Sequence, residues 1–252
     1  MHIPIDKNIM NESQMDAVIS MLQISAKDLG QIAMDNFCPR CFWIKRKVKI
    51  PYQMPFPGIF SSIDSYTKKT VEGYFGEHGR LPDWIGEIGV PKEIIKTRRS
   101  EFRYEHGNII LTGEPDLLFR KDDDTLAIVD YKTARYTENQ DRLLPIYRVQ
   151  LNGYALISQH AYGKAVTSLH LVYFEPPESD DALEIGHRNV NGDGFSMPFS
   201  SNILEIDKDT DMVVGLMEKA ERILETARPP DGVPGCDDCR RLSGMLHLPG
   251  LK

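Results

Sequence analysis

The stretch from Gly113 to Ala134, GEPDLLFRKDDDTLAIVDYKTA, constrains the fold more than any other part of the chain. Two apolar runs flank the successive charged residues Lys121 to Asp124. Consecutive charges are costly to bury, so they read as a tight turn. Residues 109–119 read as a strand interrupted at Gly113-Glu114-Pro115-Asp116, and Leu126 to Val129 as a second strand, β-branched at its end. A hairpin of this kind sets Asp116 beside Asp130. Lys132 then shares Asp130's face, because side chains alternate along a strand. Glu114 is expected to point away from that face.

Two carboxylates and a lysine in one cleft have a chemical use. Adjacent carboxylates repel each other unless a cation neutralises them. Hard oxygen ligands with water in the remaining positions suit Mg²⁺ or Mn²⁺. Such an ion can activate water and stabilise charge on a phosphoryl oxygen, while the lysine orients the nucleophile or stabilises the transition state. An isolated Asp-x-Lys is usually an ordinary pair of surface charges. Here Asp130-Tyr131-Lys132 ends an apolar strand and follows Pro115-Asp116 at hairpin distance, which favours the functional reading.

The chain contains four cysteines, in the pairs Cys38-Pro-Arg-Cys41 and Cys236-Asp-Asp-Cys239. Two residues between thiolates let both sulfurs face one metal, and four thiolates suit either zinc or an iron–sulfur cluster. The formal charge of −7 argues against a surface that binds nucleic acid everywhere. It leaves room for a local basic strip, for which Lys45, Arg46, Lys47 and Arg148 are the candidates. No apolar run is long enough to span a bilayer. The N-terminal residues lack the basic and apolar regions of a signal peptide, so an intracellular, cytoplasmic location is expected.

Pro115-Asp116, Asp130-x-Lys132 and Gln150-Leu151-Asn152-Gly153-Tyr154 together resemble the PD-(D/E)XK nuclease superfamily. The last motif resembles the Gln-x-x-x-Tyr signature of the branch that holds the RecB and AddB nuclease domains and the CRISPR-associated exonucleases. The resemblance runs from about Asn36 to Cys239. It implies an α/β fold of the restriction-endonuclease-like class, a mixed sheet flanked by helices, with a cysteine-bound metal or cluster joining the N- and C-terminal segments. The expected division is a helical N-terminal segment, residues 1–35, and a nuclease-like domain, residues 36–252.

The resemblance further implies roles for these residues. Asp116 and Asp130 would bind Mg²⁺ or Mn²⁺ with the backbone carbonyl of Tyr131. A helix-borne acid would assist, Asp64 first and Glu72 second, where the family branch often has histidine. Lys132 would position the attacking water, and Gln150 and Tyr154 would shape the channel. The cysteines would hold a 4Fe–4S cluster, with Zn²⁺ as the alternative. Related iron–sulfur nucleases place one cysteine before the core and three after it, whereas this chain divides them two and two. The implied activity is metal-dependent DNA cleavage, exonucleolytic or on single-stranded flaps, by a protein that works on DNA with a free end and beside a helicase, repair or CRISPR partner. The rivals are a nuclease fold retained as a DNA- or protein-binding module and a phosphoesterase acting on RNA or nucleotides.

Along the rest of the chain, helices are expected over Asn11 to Leu22, from a Ser25 cap to Phe37, from a Ser61 or Ser62 cap over Ile63 to Phe75, over Pro145 to Gln159 and from Asp207 or Asp209 to Ala227, with the proline-rich Pro51 to Pro57 as a loop. Strands are expected within Ile94 to Tyr104 and over Val166 to Phe174. Ala182 to Arg188 and Phe195 to Ile206 read as a strand pair around Asn191-Gly192-Asp193-Gly194.

Overall fold

The computed structural model describes residues 21–48, 57–98, 100–136, 142–176, 190–192 and 194–246. The expected helix at Asn11, the Pro51 loop and the strand at Ala182 lie outside these residues, entirely or for most of their length.

The Gly113–Ala134 stretch organises the larger of two mixed sheets. β5 (Leu117–Lys121) and β6 (Leu126–Thr133) form the expected antiparallel hairpin, with Leu117 opposite Val129 and Phe119 opposite Ala127. The acidic turn closes through Lys121 N–H donating to the Thr125 carbonyl at 2.8 Å, and Asp124 takes the left-handed conformation, φ 65°. β7 (Val166–Glu175) pairs parallel to β6, β10 (Ser200–Glu205) antiparallel to β7, and β2 (Pro91–Ile94) antiparallel to β5. The order is β10-β7-β6-β5-β2. Both faces of β6 are covered, which is why its sequence reads as a continuous apolar run.

A second sheet, β1-β4-β3, holds β1 (Leu22–Ser25) parallel to β4 (Ile109–Thr112), with β3 (Arg103–His106) antiparallel to β4. Residues 109–119 are therefore two strands in two sheets. Gly113, at φ 151°, and Pro115 turn the chain between them. In the same way the strand expected within Ile94 to Tyr104 is replaced by the ends of β2 and β3, which also lie in different sheets. A small pair, β8 (Val190–Asn191) with β9 (Gly194–Phe195), forms at the Asn-Gly turn.

Helix α1 (Ala26–Gly30) starts at Ser25, whose Oγ accepts from Asp28 N–H at 3.0 Å and donates to the Asp28 carboxylate at 2.8 Å. It runs for one turn and passes into a short 3-10 turn, Gln31–Ala33, instead of continuing to Phe37. α2 (Pro39–Lys47) follows Cys38, and α3 (Gly58–His78) starts a turn before the expected serine caps. α4 (Leu144–Tyr162) has Pro145 in its first turn, where the missing N–H costs nothing. α5 (Thr210–Leu224) is capped by Asp209, which accepts from Met212 N–H at 3.0 Å. α6 (Asp237–Leu246) starts one residue after Cys236, holds Cys239 in its first turn, and was not expected as a helix.

One core cluster joins Leu118, Leu126, Ile128 and Leu171 of the large sheet to α4, α5, α1 and the small sheet. The other joins Phe119, Ala127, Val129 and Val172 to Val71 of α3 and to Ile85 and Ile88 of a 3-10 turn, Asp83–Ile88. Ile24, Ala26, Leu29 and Ile32 belong to the first cluster, so the described end of the expected N-terminal segment is part of the same core. α1 and α4 approach closely. A Cβ on Gly153 would stand 2.7 Å from Ala26 Cβ, and one on Gly30 would stand 2.7 Å from the Ile146 carbonyl oxygen.

Candidate active site

Strand alternation decides which residues of β6 face the site. Asp130 and Lys132 share the face of Leu126 and Ile128, over which α4 lies, while the Tyr131 ring turns into the other cluster against Phe174. Extending the β5–β6 register by one residue sets Asp116 across from Asp130. Asp116 Oδ2 accepts from the Tyr131 backbone N–H at 2.6 Å, which fixes the carboxylate at the strand end.

Asp130 is 3% exposed, and burial first, then the neighbouring Asp116 charge, push its carboxyl up to about 6. The Lys132 ammonium lies against Oδ2 as an ion pair. That oxygen nevertheless accepts no hydrogen bond of proper geometry among the described residues. Lys132 Nζ donates to Gln150 Oε1 at 3.1 Å and sits 4.1 Å above the Tyr147 ring. Gln150 Nε2 is 3.3 Å from Asp130 Oδ1 and 2.6 Å from Tyr154 Oη. Gln150 and Tyr154 are four residues apart on α4, so one helix face carries both. Gly113 packs against Tyr154 from the other side, where a Cβ would stand 2.5 Å from the ring.

Asp64 reaches the same cleft from α3. Lys68, one turn later, bridges it to the sheet, with Nζ 2.9 Å from Asp64 Oδ2 and 2.7 Å from Asp116 Oδ1. Burial raises the Asp116 carboxyl, and the Lys68 charge pulls it back down. Glu72, a further turn along, lines the adjoining cleft and pairs with Lys96 at 3.3 Å. The cleft is about 430 Å³ and is lined by Asp64, Glu114, Asp116, Asp130, Lys132, Gln150 and Tyr154, together with Lys27, Phe60 and Tyr147.

Sequence reasoning missed Lys68, Lys27, Tyr147 and the presence of Glu114 on this cleft. The signal for Lys68 was its spacing of four from both Asp64 and Glu72. Tyr147 is three residues before Gln150, which puts it over the same face of α4. Glu114 lines the cleft instead of turning away, because the chain turns at Gly113 and does not continue as a strand; Thr97 Oγ1 donates to it at 2.9 Å. The four residues of the expected basic strip are not among those lining this cleft. Lys45, Arg46 and Lys47 are in the last turn of α2, with Lys45 beside the cysteines, and Arg46 is bound to Asp28 at 3.0 Å and to the Gln23 carbonyl at 2.7 Å. Arg148 is exposed on α4, about 200° around the helix from Gln150.

A comparison with family models matches residues 68–243 to the PD-(D/E)XK nuclease superfamily, from within α3 to within α6. The chain belongs to the PD-(D/E)XK nuclease superfamily. Membership of this superfamily supports a nuclease-type function and a nucleic-acid substrate. Among solved structures, a crystal structure of SSO0001 is 15% identical, with 87% of this chain and 84% of that chain covered at a TM-score of 0.38. No curated protein matches the chain.

The donor set fits the divalent ion expected of a PD-(D/E)XK nuclease. It is all oxygen, it is drawn from β6, the residue before β5 and α3, and it includes a buried Asp130 oxygen without a proper hydrogen bond. Lys68 and Lys132 currently balance the acids. Among the described residues, the four cysteines are the cluster of acidic, histidine and cysteine ligand atoms that lies within 4.8 Å. They are separate from the acidic cleft and join the start of α2 to the start of α6. Phe42 is buried beside them, and Trp43 packs against the core with its Nε1 donating to the Thr226 carbonyl at 3.1 Å. Among the described residues, no helix is long and apolar enough to cross a membrane.

Proposed function

We propose that this chain is a divalent-metal-dependent deoxyribonuclease of the RecB-like branch, acting on DNA with a free end or on single-stranded flaps. The observation that carries this reading is the chain of contacts from Asp130 through Lys132 and Gln150 to Tyr154, in a cleft that also holds Asp116. A surface salt bridge has no need of that arrangement. Burial of Asp130 is costly, and it is understandable only if the charge is used.

In this reading Asp116, Asp130 and the Tyr131 carbonyl hold Mg²⁺ or Mn²⁺, with Asp64 assisting from α3. Bound there, such an ion supplies Lewis acidity toward a phosphoryl oxygen and lowers the pKa of a coordinated water. Lys132 orients the attacking water and offsets negative charge as it develops on the phosphate. Gln150 holds the Lys132 ammonium in place, and the Tyr147 face limits the positions open to it. Tyr154 keeps Gln150 oriented and forms a wall of the channel. Lys68, which holds Asp116 as an ion pair, would give up that carboxylate to a divalent ion bound there, and Lys27, across the cleft, would be available to a phosphate of the strand.

The test compares linear DNA labelled at either end, single- and double-stranded, with closed circles of both kinds in the presence of Mn²⁺. Shortening of linear single strands from an end, with circles left intact, is the expected result. Cutting of closed circles at a similar rate would exclude dependence on a free end and leave an endonuclease. Hydrolysis of RNA in preference to DNA would move the substrate class.

A further inference from the structure

The cysteine pairs form a second site whose size carries information. Cys41 Sγ lies 3.4 Å from Cys239 Sγ and 3.7 Å from Cys236 Sγ, and Cys38 Sγ lies 3.6 Å from Cys239 Sγ. All four sulfurs are within 4.8 Å of one another. The two pairs are built alike. Cys38 caps α2 and Cys41 lies in its first turn; Cys236 immediately precedes α6 and Cys239 lies in its first turn. Each pair therefore meets the unpaired N–H groups of a helix start, which favour thiolate.

We propose that this cage holds a single tetrahedral thiolate-bound zinc ion, and not the 4Fe–4S cluster that the resemblance to iron–sulfur nucleases implies. Four sulfurs about 2.3 Å from one zinc form a tetrahedron with edges of about 3.8 Å. The separations of 3.4, 3.6 and 3.7 Å lie just below that value, and none of the six exceeds 4.8 Å. In a cubane each thiolate extends outward from its own iron, which spaces the sulfurs roughly 6 Å apart. To admit one, α2 and α6 would have to separate; α2 is held in place by the buried Phe42 and by the Trp43 bond to Thr226, so α6 would have to move. Gly232 leaves little slack on the remaining side, since a Cβ there would stand 2.8 Å from Cys239 Sγ and 3.5 Å from Arg40 Cδ.

Four thiolates leave no open position for water or substrate, so the ion is structural. It ties chain positions 201 residues apart, Cys38 and Cys239, across the loop that contains every acid of the cleft. Closing so long a loop restricts the unfolded chain and holds α6 against α2.

The experiment uses the full chain, expressed with iron and zinc both supplied and purified without oxygen. Metal and acid-labile sulfide are measured, the visible spectrum is recorded, and the metal-stripped, reduced protein is titrated with Co²⁺. The expected result is about one zinc per chain, no acid-labile sulfide, and the visible bands of a tetrahedral cobalt thiolate centre. Cys236→Ser with Cys239→Ser should lose the zinc, and its Tm should fall. The wild-type metal and sulfide content is decisive even where that variant does not fold. Iron and sulfide in equal amounts, with broad visible absorption bleached by reductant, would overturn the assignment. So would a protein that retains neither zinc nor cobalt. None of these readouts depends on DNA cleavage, so they stand or fall separately from the nuclease reading.

Discussion

Asp130→Asn should make the metal-free protein more stable at neutral pH while abolishing cleavage. The unfolded carboxyl ionises near its usual 3.8, and burial raises the folded one to about 6. The folded state therefore holds this proton more tightly. Folding stability at this site is greatest at low pH, declines as pH rises through the interval between the two values, and stays low above it. A difference of about two units corresponds to about 3 kcal/mol at pH 7.5 and about 1 kcal/mol at pH 4.5. Lys132's attraction is already contained in that balance, because it is among the influences that lower the value. Asparagine has the shape of the protonated acid and keeps an oxygen for Gln150 Nε2, now 3.3 Å away. In chelator, urea unfolding at pH 7.5 should show the variant about 3 kcal/mol more stable, and a Tm about 6–12 °C higher. At pH 4.5 the gap should narrow to about 1 kcal/mol. Mn²⁺ should then raise the wild-type Tm at pH 7.5 much more than the variant's. A variant that is less stable than wild type at pH 7.5, or a gap that does not change with pH, would refute the view of Asp130 as a strained, desolvated carboxylate.

Two other substitutions probe the supports of the site. Gly113→Ala adds a Cβ 2.5 Å from the Tyr154 ring at a backbone position, φ 151°, that disfavours any side chain. Strain of about 1–3 kcal/mol and overpacking of similar size should lower stability by about 2–6 kcal/mol, measured by urea unfolding, and should slow cleavage through displaced Gln150. Wild-type stability with wild-type turnover would contradict that packing. Lys68→Met removes an ammonium that competes with a divalent ion for Asp64 and Asp116. Because Lys68 is a third exposed, each pair is worth at most about 1 kcal/mol, so calorimetry should show Mn²⁺ binding tighter by up to about thirtyfold. Weaker binding would mean that Lys68 supports the ion instead of opposing it.

The sequence made the hairpin legible because two signals agreed. A run of charges can only turn, and β6 is apolar wherever it is covered on both faces. The Gln150–Tyr154 pair was legible for a similar reason, since a spacing of four on a helix that starts at a proline leaves little choice of face. The division of residues 109–119 between two sheets was not legible. Gly113 marks a place where a side chain will not fit, but the obstacle, Tyr154, comes from a distant helix. The early stop of α1 has the same character, because Gly30 sits where Ile146 of α4 crosses it. The cleft's lysines were missed because their role depends on which acids the fold brings to them. Lys68 has an ordinary helical partner in Asp64 and becomes informative only beside Asp116. The basic run at Lys45 to Lys47 shows the converse. A charge cluster says nothing about which end of its helix faces the site, and here Arg46 serves the α1 turn through Asp28.

The central claim is that Lys132, held by Asp130 and Gln150, acts on the phosphate in a metal-dependent cut. The direct measurement is the rate at which wild type and Lys132→Ala cleave end-labelled single-stranded DNA with Mn²⁺, on protein shown to be folded and to bind the ion. Loss of about 10²–10³-fold in turnover with Mn²⁺ binding retained is the predicted result. Equal rates in the two proteins would place the activity at another site, and no cutting by folded, metal-loaded wild type would leave a nuclease fold that binds without cleaving.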